Sequence, residues 1–150
     1  MKGILFLGDR QVVVRDFPDP VPGPGQVVVA MKVAAICGSD LHTYRRTAAE
    51  IAASPWHNIP GHEPAGIVAA VGEDVHRVKV GDRVSVYHYL GCGHCEYCRA
   101  GYMQWCAQRR GLGGPVNGSD ADLLLVDERN CLPLPEHLSF LGGALIACIA

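Results

Sequence analysis

Four cysteines constrain this chain more than any other feature. Cys92, Cys95, Cys98 and Cys106 stand in the run G-C-G-H-C-E-Y-C-R-A-G-Y-M-Q-W-C, a C-x2-C-x2-C-x7-C spacing. Zinc takes four thiolates in a tetrahedron, and closely spaced cysteines on tight turns supply them without a large scaffold. Gly91, Gly93 and Gly101 can provide those turns. Four ligands leave no open position, so the expected site is structural; a disulfide cluster is the alternative. A second set, Cys37, His62 with Glu63, and Cys148, has the makings of an open metal site.

With 150 residues the chain suits one domain with a sizeable core. A formal net charge of -2 argues against a nucleic-acid partner or a membrane surface, and no apolar run approaches a membrane span. The short apolar run before Asp9 does not read as a signal peptide. Seven cysteines without a secretory signal read as thiols and metal ligands, and the expected location is cytoplasmic.

Short apolar runs broken by turns predict a mainly β fold, a small, partly open β-barrel with short helices and a four-cysteine lobe over about 91–114. Gly3–Leu7 and Val12–Phe17 read as a hairpin. Val27–Ile36 reads as a strand buried on both faces. Ser39–Arg46 suits a helical turn capped by Ser39 or Asp40. Thr47–Asn58 is a loop or short helix, and Pro64–Gly72 a strand. Val78–Val86 reads as two short strands around a turn; Asp122–Val126 and Cys131–Leu134 are the last strands. Ser139–Ala150 reads as the start of a helix.

Cys37 lies in C-G-S-D-L-H, and G-H-E-P-A-G-I-V-A-A-V-G follows. Gly61, His62, Glu63, Gly66, Gly72 and Val75 satisfy G-H-E-x2-G-x5-G-x2-V, and the segment A-L-I-A-C ends in Cys148. With the four-cysteine lobe after them, these motifs resemble the zinc-containing alcohol dehydrogenases of the medium-chain dehydrogenase/reductase superfamily. The resemblance covers essentially the whole chain and implies a GroES-like catalytic domain over 1–150. Residues 139–150 would lead towards a nucleotide-binding Rossmann domain, whose G-x-G-x-x-G signature this chain lacks.

The resemblance implies two zinc ions. Cys37, His62 and Cys148 would hold the catalytic one, with Glu63 behind it, and Cys92, Cys95, Cys98 and Cys106 the structural one. It also implies that Asp40 orients His62, that Ser39 contacts the substrate oxygen and that His42 relays the proton. Each has a plainer alternative: buried thiols for Cys37 and Cys148, a surface carboxylate for Glu63, helix caps for Ser39 and Asp40, a surface histidine for His42. Trp56 and His88 stand at positions that line the substrate cleft in relatives, and packing or surface roles suit them equally. Gly38 occupies a position where some relatives carry an arginine for the cofactor pyrophosphate, a charge this chain does not have there.

The implied activity is reversible, NAD- or NADP-dependent oxidation of a small-molecule alcohol to an aldehyde or ketone, in a homo-oligomer when full-length. The chain by itself is expected to be inactive. The competing reading is a stand-alone zinc-binding module without redox activity. A zinc-ribbon nucleic-acid binder lacks the basic, aromatic-studded face it would need.

Overall fold

The computed structural model describes residues 1–149. Lys2–Gly8 (β1) pairs with Gln11–Asp16 (β2) in the expected hairpin. Asp9 and Arg10 turn it at φ of 51° and 61°, the left-handed pair that matches hairpin twist. A proline-rich loop then leads to Gln26–Ala35 (β3). Only Val27–Val29 of this strand are fully buried, and its second half is partly open.

Gly38–Tyr44 (α1) starts one residue before the expected caps, with Cys37 as N-cap. Asp40 is therefore the third helical residue, and its carboxylate accepts from the Cys37 N–H at 2.9 Å. Ala48–Ala52 (α2) follows, capped by Thr47 with Glu50 reaching back. Glu63–Val71 (β4) lies antiparallel to β3.

Of the two strands expected in Val78–Val86, only Arg83–Val86 (β5) forms. Lys79 instead tops a tight turn whose N–H is held by Asp82 at 2.9 Å. The lobe begins earlier than its first glycine: Tyr89–Leu90 (β6) pairs with Arg110–Gly111 (β7) and closes its neck around the short helix Glu96–Arg99 (α3). Leu123–Asp127 (β8) and Cys131–Pro133 (β9) complete the strands. Phe140–Ile149 (α4) is the final helix, and Ser139 Oγ accepts from Gly142 N at 3.0 Å as its cap. Ala150, the last residue expected there, lies outside the described residues.

The main sheet runs β8-β3-β4-β5-β9, all antiparallel, flanked by the two small two-stranded sheets. This is the open, mainly β architecture expected, with few short helices. Val27, Val29, Val68, Val84, Leu124 and Val126 form its core, and Cys131 belongs to it as well. β-branched residues dominate because they pack well on a pleated surface. Among the described residues no helix is long and apolar enough to cross a membrane.

Candidate metal centres

Three chain segments meet at the first centre. Cys37 closes the passage from β3 to α1, Glu63 opens β4 with His62 directly before it, and Cys148 sits in the last turn of α4. Gly61, at φ 91°, turns the chain so that His62 faces Cys37. α4 approaches the sheet closely because Gly143 has no side chain: a Cβ there would sit 2.9 Å from Leu134 Cδ2. Ser85 Oγ then donates to the Gly143 carbonyl at 2.7 Å, fixing the helix over β5.

As a result one donor atom from each of Cys37, His62, Glu63 and Cys148 lies within 4.8 Å of the others. Glu63 is almost completely buried. Two sulfurs, an imidazole and a carboxylate suit zinc.

Asp40 Oδ1 stands 3.4 Å from His62 Nδ1, leaving Nε2 to face Cys37 and Ser39. Ser39 Oγ is 3.4 Å from that Nε2. The Asp40 hydrogen bond, aided by the Cys37 sulfur, raises His62 to about 9 against the cost of burial. Cys37 is lowered, mainly by its hydrogen bonds with Ser39.

Ser39, Asp40, Thr43, His62, His88 and Tyr89 line one cleft. The His88 ring meets the His62 ring edge-on, centroids 5.5 Å apart. Burial holds His88 low, and its Nδ1 is buried with no hydrogen-bond partner among the described residues. His42 is exposed on α1, one turn beyond Ser39 and outside the cleft lining. Trp56, half exposed, lines a separate cavity of about 390 Å³ that meets the cleft only at Thr43 and Gly113.

The second centre is the lobe. One donor atom from each of Cys92, Cys95, Cys98 and Cys106 again lies within 4.8 Å of the others, and Cys106 is buried. Backbone amides turn inward on the sulfurs: Cys95 N to Cys92 Sγ, Cys98 N to Cys95 Sγ, and both Cys92 N and Gln108 N to Cys106 Sγ, each at 3.4 Å. Amides aimed at sulfur stabilise thiolates. The amides of His94 and Cys95 bring Cys92 to about 6, whereas burial pushes Cys98 up to about 11, helped by its sulfur neighbours. Crowded thiolates in that conflict are relieved by a dication, so this donor set fits zinc. Gly91 makes room for it, since a Cβ there would lie 2.4 Å from Cys98 Sγ. His94 turns away, its Nδ1 against the Cys92 carbonyl at 2.9 Å.

Three groups near the centres have no signature in the sequence. Asp120 packs on Gly61, where a Cβ would come within 2.2 Å of its Oδ1. Arg129 packs on Gly93 in the same manner, and Asn130 is wholly buried beside the lobe.

Comparison with known proteins agrees with this arrangement. The family model for the alcohol dehydrogenase GroES-like domain matches residues 23–136. An uncharacterized zinc-type alcohol dehydrogenase-like protein of Escherichia coli K12, YphC, is 40% identical over 148 residues, covering 94% of this chain and 42% of that protein. Among solved structures, the alcohol dehydrogenase TADH from Thermus sp. ATN1 superposes with a TM-score of 0.85 at 31% identity, over 98% of this chain and 44% of the other. A short chain alcohol dehydrogenase (RspB) of Escherichia coli CFT073, complexed with NADH, gives 0.83 at 34% identity, over 97% and 42%. The chain thus spans about two fifths of the length of these relatives. The fold, the paired donor sets and the match over residues 23–136 lead to one conclusion: the chain belongs to the alcohol dehydrogenase GroES-like domain family.

Proposed function

We propose that this domain binds two zinc ions and supplies the catalytic one to an NAD- or NADP-dependent alcohol dehydrogenase acting on a small-molecule alcohol or carbonyl compound. The observation that carries the reading is the convergence of Cys37, His62, Glu63 and Cys148 beside the Ser39 hydroxyl. Zinc held there with one open position supplies Lewis acidity for hydride transfer between an alcohol and a nicotinamide.

The chain's own residues then have distinct tasks. Cys37, His62 and Cys148 are the metal ligands, and Glu63 is the reserve carboxylate behind them. Asp40 fixes the His62 tautomer and ring plane. Ser39 Oγ accepts the substrate hydroxyl proton, and His42, one turn along α1 and open to solvent, carries it away. His88 forms the inner wall of the cleft, and Trp56 contributes only through the adjoining cavity. Cys92, Cys95, Cys98 and Cys106 hold a closed, structural zinc within the lobe at 91–114.

The nicotinamide is held by a separate dinucleotide-binding domain, so residues 1–150 alone turn over no alcohol. The whole enzyme is proposed to be a homo-oligomer. The test is alcohol-dependent reduction of NAD or NADP by the enzyme that joins this domain to such a partner. Cys37→Ser and His62→Ala are expected to abolish turnover. His42→Gln is expected to slow it by roughly 10²-fold, because water substitutes partly for a relay. Full activity in His62→Ala would rule out the assigned centre.

A further inference from the structure

We propose that Arg129 and Asn130 act as a latch. Arg129 is the counter-charge of the four-cysteine centre, and Asn130 transmits the position of the lobe to His88. The proposal rests on the reading of the lobe as a zinc centre.

The Arg129 guanidinium occupies the space a side chain would fill at Gly93. A Cβ there would lie 1.7 Å from Nη1 and 2.7 Å from Cζ. Gly93 sits between Cys92 and Cys95, in the knuckle whose amides turn on the sulfurs, and its φ of 84° needs glycine as well. Four thiolates around one dication leave net negative charge in a lobe only partly open to water. A guanidinium is weakly hydrated, always charged and planar, so it suits a flat backbone surface beside such a centre. Asp127 flanks it loosely, with 3.8 Å between Arg129 Nε and Oδ2, so the cation is not consumed by a tight ion pair.

The next residue continues inward. Asn130 Nδ2 donates to the carbonyls of Tyr87 and Tyr89 at 2.7 and 2.8 Å, and the Asn130 carbonyl accepts from Tyr87 N at 2.8 Å. Those bonds bracket His88. The lobe grips the same segment from the other side: Gln104 Oε1 accepts from Tyr87 Oη at 2.9 Å, and Leu112 N donates to the His88 carbonyl at 3.1 Å. His88 then packs on His62. Among the described residues, the hydrogen bonds that fix the 87–89 segment come from the lobe or from Asn130. Groups behind a metal's ligands that hold them in place typically cost about 10- to 100-fold in affinity when removed.

The test uses the chain in a Cys37→Ser background, so that only the four-cysteine centre binds zinc firmly. Zinc release to excess chelator is timed for parent, Arg129→Gln, Arg129→Met and Arg129→Lys. Both uncharged variants are expected to release zinc on the order of tenfold faster and the lysine variant within about twofold of parent. Imidazole NMR of the parent is expected to show the His88 ring resonances shifting or broadening when the lobe zinc leaves. Equal release from all four proteins overturns the counter-charge, as does equally fast release from Lys and Gln. If the uncharged variants fail to fold while the lysine variant folds, the proposal stands; if all three fail, the charge role falls. Unmoved His88 resonances overturn the coupling through Asn130. A parent that binds no zinc sinks the underlying reading, whereas a zinc-binding parent with indifferent variants sinks only this one.

Discussion

Asp40 holds His62 and Cys37 at once: one carboxylate oxygen is 3.4 Å from His62 Nδ1 and the other accepts the Cys37 N–H at 2.9 Å. A single side chain thus caps α1 and aims two of the proposed ligands. Asp40→Asn keeps the shape and removes the charge. Zinc affinity at the Cys37–His62 centre is expected to fall about 10- to 100-fold, with the lobe zinc unaffected. Competition titration against a chelator of known affinity measures it. Unchanged affinity would mean that the carboxylate serves only as a helix cap.

The same contact sets the pH dependence of metal uptake. His62 in the metal-free chain is raised to about 9, first by the Asp40 hydrogen bond. A metal must displace that proton, so apparent affinity rises with pH up to about 9 and this contribution levels off above it. The expected slope from His62 is about tenfold per pH unit between neutrality and that point. Calorimetry in buffers of different ionisation enthalpy should count more released protons at pH 7.5 for the parent than for Asp40→Asn, since the ligand thiols lose theirs in both. An equal count for the two proteins contradicts the protonated His62.

The four-cysteine lobe and the hairpin were legible in the sequence because each depends on neighbours in the chain. Cysteine spacing and a turn between two apolar runs are local signals. The α1 cap was misassigned by two or three residues, since Cys37 takes the position that Ser39 or Asp40 suits by residue type. The strand expected around Val78 gives way to a turn that Asp82 organises through its side chain. Arg129 and Asp120 were illegible because each is defined by a distant glycine whose missing side chain it fills. Contacts of that kind leave no periodicity and no motif. Of Trp56 and His88, only His88 lines the cleft with His62, and Trp56 lines the adjoining cavity.

Gly66, inside the G-H-E-x2-G run, shows what that motif glycine does. It lies in β4 opposite Met31, and a Cβ there would meet the Ala30 carbonyl oxygen at 2.3 Å and Val29 Cγ1 at 2.8 Å. The obstacle is backbone in the middle of the sheet, which cannot swing aside. Gly66→Ala is expected to destabilise the domain by about 1–3 kcal/mol through overpacking. Because Glu63 begins the same strand and His62 directly precedes it, weaker zinc binding at that centre should accompany the loss. Urea denaturation with zinc present measures the first effect and chelator competition the second. A variant as stable as the parent would show that β3 and β4 separate more readily than their register implies.

Asp120 offers the opposite outcome, a substitution that stabilises. Burial beside Gly61, followed by repulsion from Asp40, raises its carboxyl from 3.8 to about 6. Its Oδ2 is buried with no hydrogen-bond partner among the described residues. The folded chain therefore releases this proton at higher pH than the unfolded chain does. Stability falls as pH climbs from 3.8 through 6, and the full deficit persists above 6. Asparagine carries no such deficit. Asp120→Asn should match the parent more closely near the bottom of that window and exceed it by about 1 kcal/mol above it, a figure reduced for the side chain's partial exposure. Thermal melts of the two proteins, compared at each pH across the window and beyond it, test the sign. A constant offset between the two proteins at every pH would mean that ionisation of Asp120 is not what separates them.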